Sequence, residues 1–155
     1  MNIFILDLDI NKCVEYYVDK HIIKIVLEVA QMLSTTVRLT GIDAGYKITH
    51  QNHPCTKWAR ESLSNWLWLK NLAKHLNNEW QYRYNHTYNC KAYDVILSLP
   101  EPELPDIGLT PFVICMNDEY RINNDAVKSY RNYYIKAKSH IFSWKNREIP
   151  KWLDK

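Results

Sequence analysis

The stretch Val14-Glu15-Tyr16-Tyr17-Val18-Asp19-Lys20-His21-Ile22-Ile23-Lys24-Ile25-Val26-Leu27-Glu28-Val29-Ala30-Gln31-Met32-Leu33 decides the fold class. Wound as an α-helix, Val14, Val18, Ile22, Ile23, Ile25, Val26, Val29, Ala30 and Leu33 cover roughly 220° of the circumference. Lys20, His21, Lys24, Glu28 and Gln31 fall together in the remaining ~100°. A helix apolar over so much of its surface belongs at the centre of a fold, and its one polar stripe faces either solvent or a pocket. Two lysines, a histidine, a glutamate and a glutamine on one face suit an anionic ligand with a general acid or base beside it. A Lys24–Glu28 pair at i,i+4 on a solvated edge is the plainer alternative.

Outward from this stretch, the pattern stays helical. Ile3 to Leu8 reads as a strand or extended segment, and one long helix is expected from about Asn11 to Leu39, capped by Asp9 or Asn11 and ended by Gly41 and Gly45. After a loop to Asn52, Pro54 suits the first position of a second long helix running to about Tyr84. A shorter helix from Ala92 to Leu99 stops at the proline-rich Pro100-Glu101-Pro102-Glu103-Leu104-Pro105. Thr110-Pro111 to Tyr120 is expected to be helical, and a last helix starts near Asn123–Asp125 and runs to about Trp144. Ile149-Pro150-Lys151-Trp152-Leu153 is a tail able to pack back through Trp152. The expected fold is all-α: one compact domain over residues 1–155, built from about three long helices and some shorter ones.

Composition sets the limits. A chain of 155 residues buries a core without help from metals or disulfides. With 46% apolar and 24% charged residues it is neither a disordered tail nor a membrane protein, and no apolar run approaches the ~20 residues of a span. The opening residues carry no basic leader, so a cytoplasmic protein is expected. Three glycines exclude Gly-rich phosphate loops. Cys13, Cys55, Cys90 and Cys115 are spread evenly with no CxxC, so neither a metal site nor a disulfide scaffold is expected, and no cofactor. The thiols are expected to be buried or neutral, Cys55 in His53-Pro54-Cys55 being the one placed to act as a nucleophile.

The remaining signals point to an anionic partner. Net charge is only +3, but residues 121–155 hold nine Lys/Arg against three Asp/Glu. There Tyr130-Arg131-Asn132-Tyr133-Tyr134-Ile135-Lys136-Ala137-Lys138 alternates rings with cations, so Tyr130, Arg131, Tyr134 and Lys138 are candidate nucleic-acid or nucleotide contacts. An aromatic core face with a solvated basic edge is the alternative. In the second helix Ser62 and Asn65 interrupt an apolar arc. A buried amide needs partners, so Asn65 either meets backbone groups or lines a polar pocket. Asn52 and His53 stand at the mouth of that helix, where backbone N–H groups favour anions. Arg60 and Lys20 complete the candidate binding set.

At Asp19-Lys20-His21, Asn52-His53-Pro54-Cys55-Thr56-Lys57-Trp58, Asp106-Ile107-Gly108-Leu109-Thr110-Pro111-Phe112 and Arg147-Glu148-Ile149-Pro150-Lys151-Trp152 the chain resembles a group of small phage proteins. More distantly it is similar to the pyrimidine-dimer DNA glycosylases of the endonuclease V type. The shared pattern is a basic pair on the first long helix (Lys20 and Lys24), an Asn-His-Pro opening the second, and Tyr133-Tyr134-Ile135-Lys136-Ala137 near the end. The resemblance implies a compact all-α protein that binds damaged duplex DNA, extrudes a base and cuts the glycosidic bond with the N-terminal α-amine and a glutamate. An imine with the sugar and strand cleavage by elimination follow.

Two positions depart from that pattern. Residue two is Asn2, a poor context for methionine removal, so Met1 stays. His21 stands where the family has its glutamate, and Glu28, one turn beyond Lys24, takes that part. The candidate catalytic set is therefore Glu28, His21 and Lys24, with the N-terminus or a lysine as the amine. The function expected is glycosylase and lyase chemistry on a damaged or modified base, by a monomer or small homo-oligomer whose partner is DNA or a nucleotide. The alternative is a binding module without chemistry that sequesters a nucleotide or coats DNA.

Overall fold

The computed structural model describes residues 1–154 and contains, among them, six α-helices and no strand. They are α1 (Ile10–Glu15), α2 (Asp19–Leu39), α3 (Pro54–Ala59), α4 (Leu63–Tyr84), α5 (Lys91–Ser98) and α6 (Ala126–Ala137). Short 3₁₀ turns follow at Asp118–Tyr120, Ser139–Ile141 and Lys151–Asp154. The expected all-α bundle with an extended N-terminal segment is what the chain forms. The centre is α2, which packs against α3, α4 and α5. Ile22, Ile25, Val26, Val29, Ala30 and Leu33 lie in the core, whereas Ile23 is exposed.

The first long helix is broken where one was expected from Asn11 to Leu39. Tyr16 ends α1 and Val18 is extended. The cause lies far off in sequence. Arg83 is 1% exposed and donates from Nη2 to the Glu15 carbonyl (3.0 Å) and from Nη1 to that of Tyr17 (2.8 Å), while Trp144 Nε1 donates to that of Tyr16 (3.0 Å). A continuous helix needs those three carbonyls for its own amides four residues on. Arg83 also grips the carboxylates of Asp19 (2.9 Å) and Glu79 (2.7 Å), and Arg147 closes on Glu79 from outside (2.8 Å).

The second long helix is broken too, at Arg60–Ser62 rather than continuous from Pro54 to Tyr84. Ser62 is extended, and its hydroxyl donates to the Gly108 carbonyl (2.6 Å) while Leu63 N–H donates to Pro105 (2.9 Å). Asn65 spans the gap: its Nδ2 donates to the Trp58 carbonyl (2.8 Å) and its Oδ1 accepts from Thr110 N–H (3.0 Å). Thr110 to Asn117, expected to be helical, is an extended strap whose backbone groups are taken by Asn65, by Trp58 Nε1 at the Pro111 carbonyl (2.9 Å) and by Tyr130. The last helix stops at Ala137, short of Trp144, and Trp152 packs back on Tyr16 and Tyr134 as expected.

Residues Ile3 to Leu6 thread through the core as an extended chain, all at most 5% exposed. With no strand beside it, its backbone is satisfied by side chains. Phe4 N–H donates to the Tyr17 hydroxyl (3.1 Å), Leu6 N–H to Cys13 Sγ (3.3 Å), Cys13 Sγ–H to the Phe4 carbonyl (3.3 Å) and Arg131 Nε to the Leu6 carbonyl (2.7 Å). The Phe4 ring stacks on His21 and meets Tyr17, Tyr130 and Tyr134 edge-on. This buried thread fixes where Met1 and Asn2 emerge.

Candidate active site

The thread delivers the amino terminus to Glu28. The Met1 α-ammonium lies 3.8 Å from Glu28 Oε1, and Asn2 N–H donates to Oε2 (3.0 Å). Lys24, one turn earlier on α2, places its Nζ 3.8 Å from Oε1. The carboxylate is 12% exposed, so amine, amide and lysine surround it in partly water-excluded space while Lys24 remains 61% exposed.

Asn2 is clamped from the far end of the chain. Its Nδ2 donates to the Cys115 carbonyl (2.8 Å), and its Oδ1 lies 2.9 Å from the Tyr130 hydroxyl. That hydroxyl accepts from Cys115 N–H (3.1 Å) and shares its one proton between Asn2 Oδ1 and the Val113 carbonyl (2.9 Å). Burial, then the neighbouring Cys55, push the Tyr130 phenol well up, so it stays a donor.

His53 comes to the same place as the N-cap of α3. Its Nδ1 accepts from Cys55 N–H (3.2 Å), and Pro54 at the first helical position leaves no amide of its own to satisfy. Its Nε2 sits 3.8 Å from Cys115 Sγ. Burial, then the charges of the amino terminus and His50, hold this imidazole below its ordinary range, with Glu28 opposing. Cys55 is the buried, neutral thiol expected, its thiol pushed up by its Cys115 neighbour and then by burial. Cys115 departs from that expectation: the donor atoms of His53, Cys55 and Cys115 lie within 4.8 Å of one another, and the Cys115 thiol is lowered by the neighbouring Cys55 thiol, then by the amino terminus and Arg121, with burial opposing. Only His53-Pro54-Cys55 of this cluster is a local sequence signal; Cys115 arrives by the strap.

The other sequence candidates divide. Lys20 and Lys24 are exposed on the outer face of α2, and Asn52 is exposed just before His53. Arg60 ends α3, donates to the Gln51 carbonyl and, with Lys57, Trp58 and Pro111, lines an open groove of about 600 Å³. Lys138 lies over the Tyr133 ring.

Five candidates are occupied inside the protein, Tyr130 being the clamp on Asn2 already described. His21 is 4% exposed, hydrogen-bonded to the Tyr134 hydroxyl (2.7 Å), and pushed down to about 4 by burial and then by the Lys138 and Lys24 charges. It leaves the polar stripe to stack on the Phe4 ring and to bond the Tyr134 hydroxyl in the core. Tyr134 is fully enclosed with it, and Asn65 is fully buried in its junction of α3, α4 and the strap. Arg131 is spent on the Leu6 carbonyl and the Asp7 carboxylate (2.9 Å), against the rings of Tyr16 and Trp152.

With that geometry in view, the sequence profile of the pyrimidine dimer DNA glycosylase family matches residues 1–92, so the chain belongs to that family. The matched part holds Met1, Lys20, Lys24, Glu28, Asn52 and His53 and ends before the strap and α6. No curated protein and no solved structure matches. Membership makes the chain a DNA glycosylase-type enzyme with DNA as its substrate. Among the described residues, no helix is long and apolar enough to cross a membrane.

Proposed function

We propose that the chain is a glycosylase and lyase acting on a damaged or modified base in duplex DNA, with the Met1 α-amine as nucleophile and Glu28 as its carboxylate partner. The amine–carboxylate approach of 3.8 Å carries this reading. The neutral amine attacks C1′ of the deoxyribose as the bond from C1′ to the base breaks, and the base leaves with the bonding pair and takes up a proton. Glu28 accepts the proton that the amine must lose and faces the positive charge that develops at C1′. The ring opens to an imine, and elimination of the 3′ phosphate cuts the strand. Lys24, adjacent to the same carboxylate, is the alternative amine.

Phosphate contacts are assigned to Lys20, Lys24 and Lys138, with Asn52, His53 and Arg60 at the mouth of α3. Flipping a base requires such clamps beside a recess, and the groove at Trp58 and Pro111 supplies one. Lys20→Ala is expected to weaken duplex binding across sequences and to lower the slope of log K against log salt by about 1. An unchanged slope in a titration of band shifts removes Lys20 from the interface.

The decisive experiment incubates the protein with duplex DNA bearing a pyrimidine dimer or an abasic site, adds borohydride, and maps the trapped adduct by mass. An adduct on the Met1 nitrogen is expected, and one on Lys24 reassigns the nucleophile. Intact strands without an adduct, together with a salt-sensitive shift, replace this reading with that of a binding module.

A further inference from the structure

We propose that Cys115 and Cys55 form a peroxide-reactive dithiol beside the amino terminus, Cys115 being the sulfur oxidised and Cys55 the thiol that closes a disulfide onto it. The argument starts from the His53 ring. Its Nδ1 accepts from Cys55 N–H in the α3 cap, so in the neutral ring the proton sits on Nε2, which faces Cys115 Sγ at 3.8 Å. Cys115 thus receives a hydrogen-bond donor from His53, and Cys55 Sγ stands within 4.8 Å of it while its own proton is aimed at Asn2 Oδ1 (3.8 Å). The amino-terminal ammonium and the Arg121 guanidinium add positive charge around it. Those are the surroundings that make a thiol a thiolate nucleophile.

Access separates the two sulfurs. Cys115 is partly exposed on the strap, whereas Cys55 is fully buried beneath it and approached only by its neighbour. Cys13 and Cys90 are built-in comparisons: both are buried, and burial pushes Cys13 up to about 11 and raises Cys90. The same cap argues against a soft metal ion on this trio. A metal on Nε2 of a neutral ring moves the proton to Nδ1, where it opposes the Cys55 N–H.

The chemistry takes hydrogen peroxide as the oxidant. The Cys115 thiolate attacks one peroxide oxygen, the O–O bond breaks, and hydroxide leaves to give a sulfenic acid. Cys55 sulfur then attacks Cys115 sulfur; the S–S bond forms, the S–O bond breaks, and the departing hydroxide takes the Cys55 proton as water. Two electrons pass from the two thiols to the peroxide, and the protein loses two hydrogens.

The test treats the reduced full chain with a small excess of hydrogen peroxide, caps free thiols and maps the peptides. The expected result is a loss of two hydrogens located to a Cys55–Cys115 link and reversed by dithiothreitol. With Cys55→Ser, dimedone is expected to capture the sulfenic acid on Cys115. Iodoacetamide at neutral pH is expected to label Cys115 of the native chain several-fold faster than that of the urea-unfolded chain, and His53→Gln to reduce that advantage. Oxidation spread equally over Cys13 and Cys90, a different pairing, native labelling no faster than unfolded, or a tight zinc complex through His53 each overturns the proposal. None of these readouts depends on DNA cleavage.

Discussion

Glu28→Gln is expected to lower single-turnover cleavage of a dimer-bearing duplex by about 10²- to 10⁴-fold while leaving duplex affinity within a few-fold. The substitution keeps the shape of the side chain and an oxygen to accept from Asn2 N–H, now at 3.0 Å. What it removes is the negative charge 3.8 Å from the Met1 nitrogen, which the proposed mechanism uses to take the proton and to face the cationic sugar. The charges of Lys20, Lys24 and Lys138 stay in place, Lys24 losing only its partner at 3.8 Å, so phosphate binding is kept. A companion variant with one glycine added ahead of Met1 converts the amine to an amide and carries the new terminus up to ~3.5 Å away. Trapping at the N-terminal nitrogen is expected to vanish. Full activity in both variants contradicts the assignment of this pair.

Arg83→Met is expected to destabilise the fold by about 3–5 kcal/mol, a fall in melting temperature of roughly 6–20 °C. Its guanidinium is buried and holds two carboxylates and two carbonyls at the α1–α2 break. Removing it strands Glu79, 5% exposed, and Asp19, 14% exposed, with fewer partners. Both carboxyls are held below their ordinary values of 4.5 and 3.8. Burial works upward on each. It is outweighed at Glu79 by hydrogen bonds from Arg147 and Arg83, and at Asp19 by those from Ser143, Lys145 and Arg83. A carboxyl depressed by folding stabilises above its unfolded value, and that contribution is lost as pH falls through the folded value. Wild-type stability is therefore expected to decline below about pH 4.5, and the gap to Arg83→Met to narrow there. Denaturant melts at a series of pH values read both effects; a gap constant down to pH 3 contradicts them.

Local pattern carried the helices and remote contacts cut them. The apolar arc of α2 was legible because its period follows from helix geometry, and Glu28 stood out as the carboxylate on its polar stripe. His53 was legible through the proline after it. The break at Tyr16–Val18 was not, since the side chain that captures those carbonyls is Arg83. Thr110-Pro111 looked like a helix start, but Asn65 and Trp58 hold that stretch extended. His21 lay on the polar stripe by angle, and the Phe4 stack with the Tyr134 hydroxyl explains why it turned inward. Tyr130 and Arg131 read as ligand contacts because rings and cations alternate there. They serve instead as the anchor of Asn2 and the tie to Leu6, contacts spanning 128 and 125 positions.

That span sets a clock on the nascent chain. Asn2 is made well before the hydroxyl that clamps it, which comes 128 residues later. At about 5–20 residues per second the amino terminus waits roughly 6–26 s before its seat exists. Until then Met1 is a loose end with no fixed distance to Glu28, and a growing or prematurely ended chain carries the amine and the carboxylate without the geometry. The geometry that joins the amino terminus to Glu28 is thus completed only late in synthesis, once Tyr130 is in place.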